Sequence, residues 1–277
     1  MVAALRLLVS PTLLSLLVAM PVTADDCVLG DIPDSLKPEQ LLEKYLDVAF
    51  DANVCLPDLA LGRDCGQRIS RIDSDYFISF AGLIPASESE RNSIAQQLDK
   101  TSSEIFKATG FHAYAQPKAE NPTMLVIYFV DEKRASMDPE NFAKKELSWF
   151  SPYAPERIAD AFVPFEKSSA DSCMTMNLLG DDEAIKVSLT LIKAEKSISE
   201  INQCVARAFI GGIGLNGDGV FQSGSDESTE RSNSVFEIPT LFKKLITLHY
   251  SRYVSLGMTR DALLDSEDVL KQLNCSQ

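Results

Sequence analysis

The chain has 277 residues, 45% of them apolar, with 26 basic against 40 acidic side chains and a net charge of −14. That length supports one large domain or two small ones with a real core, while the charge repels nucleic acid and anionic lipid and excludes both as expected partners. His112 and His249 are the only histidines, fewer than a catalytic zinc centre usually draws on.

Residues 1–24 read as a signal peptide. Arg6 precedes an apolar run from Leu7 to Met20 broken by Pro11, and Val22, Thr23 and Ala24 form a small-residue cleavage site before Asp25. The run falls short of the ~20 apolar residues of a spanning helix, so cleavage is expected rather than a retained anchor. A chain starting at Asp25 keeps 253 residues and carries −15. It is expected to be exported, periplasmic or extracellular, with no membrane span after signal removal. Six cysteines (Cys27, Cys55, Cys65, Cys173, Cys204 and Cys275) lie beyond the cleavage site, an even set suited to an oxidising compartment. They allow fifteen pairings, and the spacing selects none.

Residues 25–72 form an expected N-terminal extension with one helix. After Pro38, Leu41, Leu42, Tyr45, Leu46, Ala49 and Phe50 recur at helical spacing, and Cys55 and Cys65 bracket a loop holding Pro57 and Gly62. The second unit spans 73–277. Tyr76 to Leu83 reads as a strand, and a helix from about Ser89 turns Ile94, Leu98, Ile105 and Phe106 inward and stops at Gly110. Strands follow near Phe111 to Gln116 and Met124 to Val130. Residues 131–170 read as an insertion packed on the sheet, with a helix after Asp138 and Pro139 carrying Phe142, Leu147 and Phe150. Strands return at Cys173 to Leu178 and Ala184 to Leu191. The second sets Ile185, Val187, Leu189 and Leu191 against Lys186, Ser188 and Thr190, so one of its faces is expected to be wet. A helix capped by Ser197 or Ser199 buries Ile201, Cys204, Val205 and Ala208 and ends at Gly214. Asn216 to Ser234 reads as a polar loop. One helix spans about Pro239 to Tyr250, and another, capped by Thr259, runs to about Leu273.

Cys204 to Gly217 reads CVARAFIGGIGLNG. In the HExxHxxGxxH pattern two histidines one turn apart hold zinc, the glutamate polarises water, and a glycine swings the third histidine into place. Here those positions hold Arg207, Ala208, Gly211, Gly214 and Gly217. Only the turning glycine survives, and such a helix can neither bind zinc nor activate water. The order of strand, helix, several strands and then this helix is similar to the N-terminal half of zincin metallopeptidases. LGM at Leu256 to Met258 resembles their methionine turn. From about residue 73 to 265 the chain resembles the bacterial domain-of-unknown-function family numbered 2927, exported proteins distantly similar to metallopeptidases. The match is carried by ATGFHAYAQPKAENPTMLVIYFV (Ala108 to Val130), by Cys173 with CVARAFIGGIGLNGD (Cys204 to Asp218, against CIREELTQALGLxND), by NSVFEI (Asn233 to Ile238, against SIFND) and by LHYSRYVSLGM (Leu248 to Met258, against LYDPRLxxGM). The resemblance implies an α+β fold, a zincin-like mixed sheet packed on helices, and a Cys173–Cys204 disulfide. For the other four cysteines, Cys55 with Cys65 and Cys27 with Cys275 is the pairing considered, with no motif behind it. The chain departs from the family at Arg207, Ala208 and Gly211, where family members often keep acidic and glutamine residues. It also has Ser251, Arg252 and Tyr253 near the place of the family's Asp-Pro.

Other chemistries find little support. His249 follows Leu245 and Ile246 on a helix and His112 sits between Phe111 and Ala113, so each reads as structural or surface histidine. No GxSxG elbow is present, and the cysteines read as disulfides rather than nucleophiles. Asn216, Asp218 and Glu227 match positions 1, 3 and 12 of an EF-hand loop, but Val220 and Phe221 occupy the next ligand and the glycine. GGIGLNGDG ends a helix rather than opening one and lacks the lysine of a phosphate cradle. No catalytic residue, cofactor or metal is expected. The reading that follows is an exported, non-catalytic metallopeptidase-like protein binding a peptide or protein of the cell envelope. The alternatives are a hydrolase with an unrecognised carboxylate or Asp/Glu-bound metal site, and a purely structural envelope component.

Overall fold

A computed structural model describes residues 37–50, 54–56 (backbone), 68–85, 87–115, 123–150, 155–216 and 235–274. In chain order the elements are α1 (Pro38–Phe50), β1 (Val54–Leu56), β2 (Tyr76–Gly82), α2 (Glu88–Thr109), β3 (Ala113–Tyr114), β4 (Thr123–Val130), α3 (Glu132–Met137), α4 (Pro139–Glu146), α5 (Pro155–Lys167), β5 (Cys173–Leu179), β6 (Ile185–Lys193), α6 (Ile198–Gly212), α7 (Thr240–His249), α8 (Arg260–Leu264) and α9 (Glu267–Asn274). The α+β expectation holds in its coarse form. One six-stranded sheet has the order β1-β5-β6-β4-β2-β3. β5 and β6 are antiparallel, and the other four pairings are parallel.

Helices cover both faces of the sheet, and β4 shows why. Its sequence is an unbroken apolar run, as expected of a strand buried on both sides. Leu125, Ile127 and Phe129 join one core with α1, α2, α6 and α7. Val126, Tyr128 and Val130 join a second core with Phe142, Leu147, Ile158 and Phe162 of the 131–170 segment. That segment is therefore a full helical layer. It contains α5, which the sequence reading did not anticipate, since Pro155 and Pro164 interrupt an otherwise regular stripe of Ile158, Ala159, Phe162 and Phe165.

The wet face expected on β6 is buried. The β5–β6 register slips so that Leu178 pairs with Val187 and Leu179 with Ile185, leaving Lys186 as the extra residue. Beyond the slip Ile185 joins the first core, whereas Leu189 and Leu191 enter the second. Ser188 and Thr190, on the face opposite Leu189 and Leu191, are buried because α6 covers that face. Small polar side chains there admit a helix at close range, so their polarity reflects a helix seat rather than solvent.

The expected caps are largely found. Ser197 and Glu200 form a reciprocal capping box on α6, Ser87 caps α2, and Gly110 ends α2 in the left-handed conformation. The last expected helix is broken in two. Thr259 caps α8, and Ser266 starts α9 afresh, accepting from Leu270 N–H through its carbonyl and from Val269 N–H through its hydroxyl. Among the described residues no helix is long and apolar enough to cross a membrane.

Candidate functional site

α6 lies across β5, β6 and β4 and meets the sheet almost without side chains at its C-terminal end. A Cβ placed on Gly211 would come within 2.7 Å of Thr175 Cγ2, and one on Gly212 within 2.6 Å of Leu125 Cδ1. Thr175 cannot easily turn away, because its hydroxyl pairs with that of Thr190 at 2.8 Å. Asn177 donates to the Gly211 carbonyl at 2.9 Å, fastening strand to helix where the ladder of α6 ends. Among the described residues Asn177 Oδ1 and the hydroxyl of Ser188 are buried without a hydrogen-bond partner. These two residues stand opposite each other in the β5–β6 register.

Gly214 follows with φ of 98°, and a Cβ there would fall 1.9 Å from the Ser70 carbonyl oxygen. This is a position only glycine fills. Ser70 belongs to a short segment that ties the end of α6 to the ends of α1 and α7. Its carbonyl faces His249 Nε2 at 3.2 Å, while His249 Nδ1 faces the Tyr45 hydroxyl at 3.0 Å. A carbonyl can only accept, so His249 carries its proton on Nε2 and its Nδ1 accepts from Tyr45. Arg71 donates to the carbonyls of His249 (2.7 Å) and Val254 (3.0 Å) and lies over the Tyr250 ring. The Tyr250 hydroxyl donates to the Ile213 carbonyl at 2.8 Å and accepts from Ile72 N–H at 3.2 Å. Asn216 N–H reaches the Val48 carbonyl at 2.6 Å, a second tie between α1 and the end of α6.

His249 is fully buried. Burial, with the Arg71 guanidinium adding to it, pushes its pKa down to about 3, although the Ser70 carbonyl opposes the shift. It is a neutral, buried imidazole; of the structural and surface roles the sequence leaves open, its burial matches the structural one. Burial raises the Tyr45 hydroxyl well above its ordinary value, with Arg71 opposing, so that group too stays neutral. His112 is exposed, stacked on Phe106 with ring centroids 4.1 Å apart, and its backbone N–H donates to Asp75 at 2.7 Å.

The degenerate zinc positions are dispersed in role. Arg207 is half-buried, and Ala208 and Gly211 are buried. Gly214 is the turning residue against Ser70, and Gly217 lies outside the described residues. Met258 does sit close to the helix end through the same segment: its carbonyl accepts from Ile69 N–H at 2.8 Å, and Gly257 N–H donates to the Ile69 carbonyl at 2.8 Å. Cys173 and Cys204 form a disulfide with Cα atoms 5.7 Å apart, joining the start of β5 to α6. Cys27, Cys65 and Cys275 and the side chain of Cys55 lie outside the described residues, as do Asp218, Val220, Phe221 and Glu227. Among the described residues no group of three or more His, Cys, Asp or Glu side chains is arranged to hold a metal ion.

Sequence reasoning missed Tyr45, Ser70, Arg71 and Tyr250, the residues that organise this end of the fold. An RISRI stretch carries no periodicity to announce that its carbonyls and guanidinium will be read by three helices. It also missed Lys193, buried at the end of β6, whose ammonium donates to the Glu166 (3.1 Å) and Ser168 carbonyls and lies over Phe165. That cation holds the C-terminal end of α5, where helix carbonyls lack partners. No family model, no curated protein and no solved structure matches this chain.

Proposed function

We propose that this is an exported, non-catalytic protein with a zincin-like fold that acts by binding an extended peptide or protein segment of the cell envelope. The observation that carries the reading is the closed seat of α6. Where a zinc enzyme would keep its general base and second histidine, Ala208 is fully buried and Gly211 is packed onto Thr175, with the next residue, Gly212, on Leu125. Support for zincin likeness comes from the helix α6 following β6 across a mixed sheet, from the Cys173–Cys204 bond, and from Met258 joined through Ile69 to the segment that meets Gly214. A sheet edge can take an extended segment by backbone hydrogen bonds with no metal. That is the activity left once the chemistry of α6 is gone.

The test is a peptide array derived from envelope proteins, followed by affinity measurement on purified full chain, with metal content and hydrolysis assayed in parallel. Saturable binding by a subset of extended peptides, without turnover, is the expected outcome. An array with no specific binder would remove the reading. A stoichiometric metal whose stripping and return abolish and restore turnover would replace it with the hydrolase.

A further inference from the structure

β5 would be an edge strand if β1 were absent. It is seven residues long, Cys173–Leu179, and its platform is rigid. Cys173 is bonded to Cys204, Thr175 to Thr190 and Asn177 to the Gly211 carbonyl, while Met176 is fully buried in the second core. The occupant of the edge is slight by comparison. β1 contributes three residues in parallel register, Val54 with Met176, Cys55 with Asn177 and Leu56 with Leu178. β5 is the element it contacts most, and it pairs on one side only. Parallel pairing is less stable per residue than antiparallel, and among the described residues three registers join β1 to the seven-residue β5.

We infer that the outer edge of β5 is a strand-addition site whose ligand is an extended peptide running parallel to β5 in the register of β1, and that β1 is the chain's own displaceable occupant. This rests on the peptide-recognition reading above and names the edge, the orientation and the competitor. The register sets the ligand's chemistry. Met176 and Leu178 belong to the second core and Asn177 faces α6. Ligand residues in register with Met176 and Leu178 therefore lie on the side of the apolar α3–α5 layer and are apolar, ideally β-branched, with a small residue between them. The Val-Cys-Leu of β1 follows that pattern. A peptide reaching from Thr175 to Leu179 adds two registers to the three that β1 fills, and the net charge of −14 favours basic flanks.

The probe is a fluorescein-labelled synthetic peptide of residues 50–59 with serine at position 55, titrated by anisotropy against the full chain and against the double variant Val54→Pro, Leu56→Pro. The prolines remove strand donors and bar β1 from the ladder. If the edge is open only while β1 is off, apparent affinity scales with that open fraction, so the variant should bind at least about tenfold tighter than the natural chain. A scrambled peptide should bind neither. Equal affinity for both proteins, or no binding to a variant whose circular dichroism matches the natural chain, overturns the proposal. Should the variant fail to fold, amide hydrogen exchange on the natural chain decides. Amides 54–56 are expected to exchange at least about a hundredfold faster than amides 125–129, because a three-residue edge strand opens without global unfolding. Equal protection sinks the idea. Envelope peptides that bind without competing with the β1 peptide would overturn the edge assignment and leave the recognition reading standing. A β1 peptide that binds while no envelope peptide does would have the opposite effect.

Discussion

Lowering the pH tests the buried polar junction directly, because His249 is the residue whose charging the fold resists. Its pKa is pushed down to about 3 against an unfolded value near 6.5. With the folded value depressed, the neutral imidazole contributes stability that is fully present above about pH 6.5 and is lost as pH falls towards 3. Between those limits the loss runs at about 1.4 kcal/mol per pH unit, so moving from pH 7.5 to pH 5 removes about 2 kcal/mol through this group. Carboxylates change ionisation over the same range, and a second protein separates their effect. In His249→Gln the amide can accept from Tyr45 and donate to Ser70 but cannot titrate. Urea unfolding at both pH values should show His249→Gln less stable than the natural chain at pH 7.5, and its drop on acidification smaller by about 2 kcal/mol. If both proteins lose the same stability on acidification, His249 is not the buried neutral group described, and the hydrogen-bond assignment to Tyr45 and Ser70 falls with it.

Three further outcomes follow from the seat of α6. Gly211→Ala should cost about 1 to 3 kcal/mol by overpacking against Thr175, and a double-mutant cycle with Thr175→Ala should return at least about 1 kcal/mol of coupling; additive losses would place the helix elsewhere. Ser188→Ala removes a buried hydroxyl that has no partner, so unfolding free energy should be unchanged or rise by up to about 1 kcal/mol, and a loss beyond about 1 kcal/mol contradicts the burial. Replacing Cys173 and Cys204 together by alanine opens a loop with sequence separation 31 and should lower stability by about 3 to 4 kcal/mol, seen as a fall in the urea midpoint; an unchanged midpoint shows that the bond does not form.

How far the sequence announced this fold depended on whether local pattern and tertiary environment agreed. β4 was legible because a run from Met124 to Val130 with no polar residue leaves only burial on both faces. α6 was legible as a helix because Ser197, Glu200 and the stripe from Ile201 to Ala208 point to one, but Asn202, Ala206, Phe209 and Ile210, outside that stripe, are buried as well. β6 was misread at Ile185, which a single slip at Lys186 turns to the layer opposite Val187, Leu189 and Leu191, and alternation cannot reveal a slip. Ser188 and Thr190 also looked like solvent residues, since hydroxyl groups under a close-packed helix and hydroxyl groups in water are spelled alike. The junction around His249 was invisible for a different reason. Tyr45 lies 204 residues away from it, and Ser70 contributes only a carbonyl, which every residue has.

The glycines of α6 link these points. Read along the sequence, Gly211 stands where the zinc motif has a histidine and Gly214 where it has its glycine. In three dimensions each is required by a distance. Gly211 sits where Thr175 leaves no space for a Cβ, and Gly214 sits where the Ser70 carbonyl occupies the position a Cβ would take. A histidine at Gly211 would have to displace Thr175 from Thr190 and carry the Gly211 carbonyl of α6 away from the Asn177 amide that donates to it. Any side chain at Gly214, the one motif position that is kept, would push the Ser70 segment off His249 and, with it, the tie to α1. At Gly211 a zinc-ligating side chain and this packing therefore exclude each other. With the α6 seat closed, the strand addition proposed above needs backbone groups alone, and at the β5 edge three residues of β1 already fill registers that a peptide would take.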